Sequence, residues 1–149
     1  MNQKFDPHKS SVMETDANLV ALSLYLVPLL SNFMSLGIIS WVLPLVILFI
    51  EKKSPLVCFH AVQSLIMQVT VAVFNLVVVI AAFMSAGSSI LIGFNVIGAF
   101  GVVGIVGLLS AAVSVIVIAL EIVGIIKAYG WENYYLPIFG TITRRFTKE

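Results

Sequence analysis

The sequence predicts an all-α integral membrane protein, a bundle of four transmembrane helices with both termini on the cytoplasmic side. Three observations predict it. Sixty per cent of the 149 residues are hydrophobic and only 10% are charged, whereas soluble domains are about 25% charged. No Asp, Glu, Lys or Arg occurs from Ala17 to Ile50 or from Ser54 to Leu120, so those blocks have no charged face with which to meet water. The mean hydropathy is +1.12, and with four spans every cation falls on one side of the bilayer.

Residues 1–16 form a polar arm in which Lys4 and Lys9 alternate with Asp6, Glu14 and Asp16. This mixture does not match a secretory signal, which needs a cationic start, a short apolar core and a small-residue cleavage site, so the first apolar segment is expected to be retained. His8 is expected to lie in a mobile arm. The single cysteine, Cys58, excludes an intrachain disulfide.

From Leu19 to Ile50 a single helix would run roughly 48 Å against a hydrocarbon core of about 30 Å. The polar and glycine-bearing stretch Ser31-Asn32-Phe33-Met34-Ser35-Leu36-Gly37 suits a reversal. It divides the block into spans over 17–32 and 35–50, each containing one proline, Pro28 or Pro44. A three-span layout, with 17–50 as one broken or re-entrant element and the arm outside, is the alternative.

Glu51-Lys52-Lys53 makes a charged loop, after which Ser54 as N-cap and Pro55 at the first helical position start the third span. That span is expected over 55–84, long enough at roughly 45 Å to tilt or to begin at headgroup level. Ser85 to Asn95, with Gly87, Ser88, Ser89 and Gly93, reads as a charge-free connection. The last span is expected over 97–128, the whole bundle covering 17–130. Trp131, Tyr134 and Tyr135 then open a tail over 131–149, aromatic and basic, at the lipid–water boundary.

Lys and Arg collect on the cytoplasmic side of short loops. Four spans place Lys4, Lys9, Lys52, Lys53, Lys127, Arg144, Arg145 and Lys148 together, and put Ser35 and Ser88 on the opposite side.

His60, Ser64, Gln68 and Asn75 are spaced by four, four and seven residues, so they form a polar stripe on one face of the third span, flanked by Gln63. Such a stripe faces other helices or a wet cavity; hydrogen bonding between helices is its commoner use and a solute path the rarer. Glu121 is the acidic residue within the last span. Lys127, six residues on, lies on another face of the helix and is a poor partner for it. His60 is five residues from the start of its helix and Glu121 six from Lys127, roughly 8–9 Å along each axis. Matched depth predicts a polar clasp of His60, Gln63 and Glu121 joining the third and last helices, unless Glu121 sits close enough to the interface to be solvated. Gly98, Gly101, Gly104 and Gly107 recur every third residue and are read as packing contacts within the bundle, then as a dimer contact, then as a flexible segment.

No catalytic constellation, metal-ligand cluster, cofactor loop or nucleic-acid patch is legible. Cys58 and His60, two residues apart on a helix, point apart. The expected partners are the lipid bilayer and either other membrane subunits or further copies of the chain.

Two stretches, Lys52-Lys53-Ser54-Pro55 leading to Phe59-His60-Ala61-Val62-Gln63-Ser64-Leu65, and Ala128-Tyr129-Gly130-Trp131 continuing to Pro137-Ile138-Phe139-Gly140, resemble the Tic-twenty-like proteins. These are small prokaryotic membrane proteins related to a subunit of the chloroplast inner-envelope translocon. The resemblance covers roughly residues 17–140, with Ser64 where alanine is usual. It implies a helical fold in the prokaryotic plasma membrane and a non-enzymatic role as a structural or accessory subunit of a membrane complex. The alternative function is a small pore or carrier that uses the polar stripe and Glu121.

Overall fold

The computed structural model describes residues 3–12, 14–34, 40–91, 96–137, 139–140 and 142–143. It is mostly helical, with β1 (Gln3–Lys4), α1 (Ala17–Phe33), α2 (Val42–Ile50), α3 (Pro55–Leu91), α4 (Val96–Tyr129) and β2 (Glu132–Asn133) in chain order. The chain divides into two compact units, Met1–Val69 with Ile118–Glu149, and Thr70–Val117.

In the first unit α1 buries Ala17, Val20, Ala21, Leu24 and Tyr25. That i, i+3, i+4, i+7 spacing puts them on one stripe of the helix. Ile47 of α2, Leu56, Val57, Ala61 and Met67 of α3, Ala128 of α4 and Leu136 and Phe139 of the tail complete the core. Pro28 lies inside α1, and Ser31 Oγ donates to the Pro28 carbonyl at 2.9 Å. Pro44 falls in the first turn of α2, where a backbone N–H has no helical acceptor to lose.

The start of α3 follows the sequence rule: Val57 N donates to Ser54 Oγ at 3.2 Å and Cys58 N to the Ser54 carbonyl at 3.1 Å. Its end does not. The expected connection from Ser85 is helical as far as Leu91, because one glycine costs a helix only about 1 kcal/mol and Ser85 Oγ donates back to the Ala82 carbonyl at 2.9 Å. The centre of the expected reversal, with Ser35 and Gly37, lies outside the described residues, as do Gly93, Asn95, Arg144, Arg145 and Lys148.

The arm is ordered by partners. Gln3 and Lys4 pair antiparallel with Asn133 and Glu132, Phe5 N donates to the Trp131 carbonyl at 2.8 Å, and Lys9 bridges Asp16 at 2.7 Å. His8 was expected to be mobile; its Nδ1 donates to the Asp6 carbonyl at 2.8 Å and its Nε2 meets Ser54 Oγ at 2.7 Å. Trp131 adopts a left-handed φ of 62°, which turns the chain out of α4.

Two helical stretches, Pro55–Ser85 and Val103–Tyr129, are long and apolar enough to cross a bilayer, and little of either is buried within the protein. A soluble core helix passes the same length test but would be covered. In the second unit Val73, Leu76, Val77, Phe83, Met84, Ile105 and Leu108 are exposed.

Candidate functional site

The candidate site is the group of polar side chains that the first unit encloses. His60, Gln63, Ser64 and Gln68 are all buried on α3, opposite buried Tyr25 of α1 and Glu121 of α4. Each has an assigned partner. Ser64 Oγ donates to the Leu24 carbonyl at 2.6 Å, fixing α3 against α1.

Nearest the ends of the long helices, Gln63 uses its whole amide. Its Nε2 donates to Tyr25 Oη and to the Tyr134 carbonyl, both at 3.1 Å, and its Oε1 accepts from Leu136 N at 3.2 Å. His60 Nδ1 lies 3.0 Å from Tyr25 Oη, and His60 Nε2 lies 3.1 Å from the Glu132 carbonyl. A carbonyl only accepts, so Nε2 carries the proton and Nδ1 accepts from the Tyr25 hydroxyl. This tautomer satisfies all three side chains together. Phe59 closes the group edge-on, with centroids 5.2 Å from His60 and 5.0 Å from Tyr135. Gly124 of α4 sits so close to Tyr25 that a Cβ there would lie 2.8 Å from two ring carbons.

Deeper along α3, Gln68 Nε2 donates to Glu121 Oε1 at 2.8 Å while Gln68 Oε1 accepts from Ser40 Oγ at 3.1 Å. The other carboxylate oxygen, Glu121 Oε2, is buried without a partner.

The predicted clasp is therefore corrected. His60 and Gln63 meet, through Tyr25 and the tail, but the partner of Glu121 is Gln68. The depth estimate took Lys127 as the membrane face, whereas α4 runs on to Tyr129 and residues 132–136 then fold back to supply the backbone groups that His60 and Gln63 bind. Glu121 lies at the level of Gln68, eight residues and about 12 Å beyond His60. Lys127 instead pairs with Glu132 at 2.8 Å and lies 5.3 Å from the Tyr134 ring centroid; its ammonium holds the Glu132 carboxyl below the usual range.

Asn75, the last member of the stripe, is exposed in the second unit. Added Cβ atoms at Gly101, Gly104 and Gly107 meet nothing within 4 Å, so these glycines make no close approach within the chain. The side-chain surroundings of Gly98 lie outside the described residues.

Sequence reasoning missed Tyr25, Ser40 and Glu51. Glu51 is almost fully buried between arm and loop. Its carboxylate accepts from Ser10 Oγ, Ser11 N at 2.9 Å and Ser11 Oγ at 2.9 Å, and Lys53 N and Ser54 N at 2.8 and 2.9 Å. Burial opposes its charge, but the hydrogen bonds from Ser10, Ser54, Lys53 and Ser11 outweigh it and hold the carboxyl down at about 2. The available signals were a lone tyrosine in the first apolar block and an acid three residues before a helix N-cap. Among the described residues no group of three or more His, Cys, Asp or Glu side chains is placed to hold a metal ion.

A family model described as the magnetosome magnetite crystal formation protein family matches residues 16–143. The chain is also 30% identical over 139 residues, covering 86% of this chain and 84% of the other, to a UPF0132 membrane protein of Methanocaldococcus jannaschii. No solved structure matches. These matches overturn the Tic-twenty-like assignment. The residues that carried it, Ser54-Pro55 and His60 to Gln63, cap a helix and bind the tail, which are general packing tasks and weak markers of descent.

Proposed function

The chain belongs to the magnetosome magnetite crystal formation protein family, and we propose that it acts as a non-enzymatic, multi-pass subunit of a membrane assembly, structural or accessory in role. The observation that carries this reading is the closed hydrogen bonding of Tyr25, His60 and Gln63 with the tail. Side chains that line a solute path keep donors or acceptors free for the solute; these three have spent theirs on one another and on the backbone. The family's label names crystal formation, and the Methanocaldococcus relative is labelled only as a membrane protein.

The same reading places the arm, the 51–54 loop and the tail on the cytoplasmic face of a prokaryotic plasma membrane. Pairing of β1 with β2 and bonding of Ser10 and Ser11 to Glu51 support one face for all three, so α1 and α2 leave that face and return to it. This favours four spans over three. At nine residues, α2 is about 14 Å long, shorter than a hydrocarbon core of about 30 Å.

Co-purification from native membranes in mild detergent, followed by mass spectrometry, tests the role: stoichiometric partners are expected. A chain that purifies alone and moves solute across liposomes by itself would establish a pore or carrier instead. Topology is checked with cysteines introduced at positions 4 and 52 in a Cys58→Ser background. Both are expected to resist an impermeant thiol reagent applied outside intact cells, and labelling at position 4 alone would restore the three-span layout.

A further inference from the structure

We propose that Glu121, Gln68 and Ser40 form a proton-binding site within the membrane, with the proton seated on Glu121 Oε2. Glu121 is wholly buried and Oε2 has no partner, while Oε1 is held by Gln68. Ser40 Oγ donates to Gln68 Oε1, so the amide presents its nitrogen to the carboxylate and its oxygen to the hydroxyl. Oε2 is the oxygen that this arrangement leaves without a donor.

No charged side chain among the described residues answers it. Pro55 to Leu91 of α3 carries no Lys or Arg, and its ionisable His60 has both ring nitrogens committed about two turns away. On α1 the facing titratable group is Tyr25, whose oxygen is shared between His60 and Gln63. Ser40, ahead of α2, is neutral. On α4 itself Lys127 is six residues on and bound to Glu132. A carboxylate held in hydrocarbon with one hydrogen bond and no counter-charge is strongly unfavourable. One proton on Oε2 neutralises the carboxylate and removes that cost.

The test uses the full chain in detergent micelles and dicyclohexylcarbodiimide, an apolar reagent that reacts with a neutral carboxyl. The carboxyl proton passes to a carbodiimide nitrogen, the carboxylate oxygen bonds to the central carbon, and rearrangement leaves a stable acylurea that peptide mass spectrometry locates. An adduct on Glu121 is expected, absent from Glu121→Gln. The adduct is expected to increase as pH falls and to be the same in sodium chloride as in choline chloride of equal strength; protection by sodium would overturn the proton as occupant.

Gln68→Leu removes a donor to the carboxylate and should move half-labelling about tenfold toward lower proton concentration. Asn75→Leu should not move it. A folded protein in which Glu121 takes no adduct across its stable pH range overturns the site, as does an adduct that does not respond to pH. A Gln68→Leu profile identical to wild type removes Gln68 from it.

Discussion

Between Pro55 and Val69, helix α3 encloses His60, Gln63, Ser64 and Gln68, whereas between Thr70 and Leu91 the same helix turns Val73, Leu76, Val77, Phe83 and Met84 outward. In water this arrangement would be inverted and costly on both counts. In lipid an exposed valine costs nothing and an exposed amide is costly, so polar residues on a helix are concentrated where the chain supplies partners for them. The first half of α3 has α1, α4 and the tail to provide those partners. Asn75, seven residues past Gln68, is exposed and marks where that supply ends.

The comparison breaks most visibly if Gln63 is replaced. Gln63→Leu leaves the Tyr134 carbonyl, the Leu136 amide and one bond of Tyr25 unmet, and should cost about 3 kcal/mol of stability in detergent. Asn75→Leu should cost nothing measurable. Equal losses in thermal unfolding would erase the distinction between the halves of the helix.

A smaller contrast lies on α4. Gly124→Ala forces a methyl into the Tyr25 ring, and overpacking of this kind costs about 1–3 kcal/mol. Gly104→Ala meets open space and should gain up to about 1 kcal/mol from helix propensity. Opposite signs in one thermal-shift series are the expected result.

The smallest effect belongs to the polar cap outside both halves. The Glu51 carboxyl is held down at about 2 when folded, against about 4.3 in an unfolded chain. Its stabilisation is therefore complete above the unfolded value and lost as pH falls toward the folded one. Wild-type protein should lose stability across that acid window. Glu51→Gln, weaker by about 1–2 kcal/mol at neutral pH, should fall less steeply there, with the remaining slope left to carboxyls such as Glu132 that are also held down.

What the sequence made legible were the features governed by neighbours in the chain. The Ser54-Pro55 start of α3, the charge-free blocks and the polar stripe follow from local spacing and capping. The partners within the stripe were not legible, because they depend on how each helix is rotated and on where the tail goes after α4. That path turns on Trp131 in a left-handed conformation, which is rare for a bulky residue and has no local sign. Without the returning tail, depth alone paired His60 with Glu121; with it, the backbone at Glu132, Tyr134 and Leu136 takes those positions. Glu51 read as a loop charge because its donors, Ser10 and Ser11, stand about forty residues away.

The return of the tail to α3 and its ribbon with β1 also impose a timetable on synthesis. His60 waits for a carbonyl 72 residues downstream, and Lys4 for a strand made after both long helices. At about 5–20 residues per second the ribosome needs roughly 4–14 seconds to deliver residue 132 after residue 60. Through that interval α3 is complete and Tyr25 is present, yet the imidazole and the Gln63 amide lack the partners that the tail supplies. The final hydrogen bonding is therefore reached only when the tail is made, and a chain truncated before Glu132 should be cut more readily by added protease than the full chain.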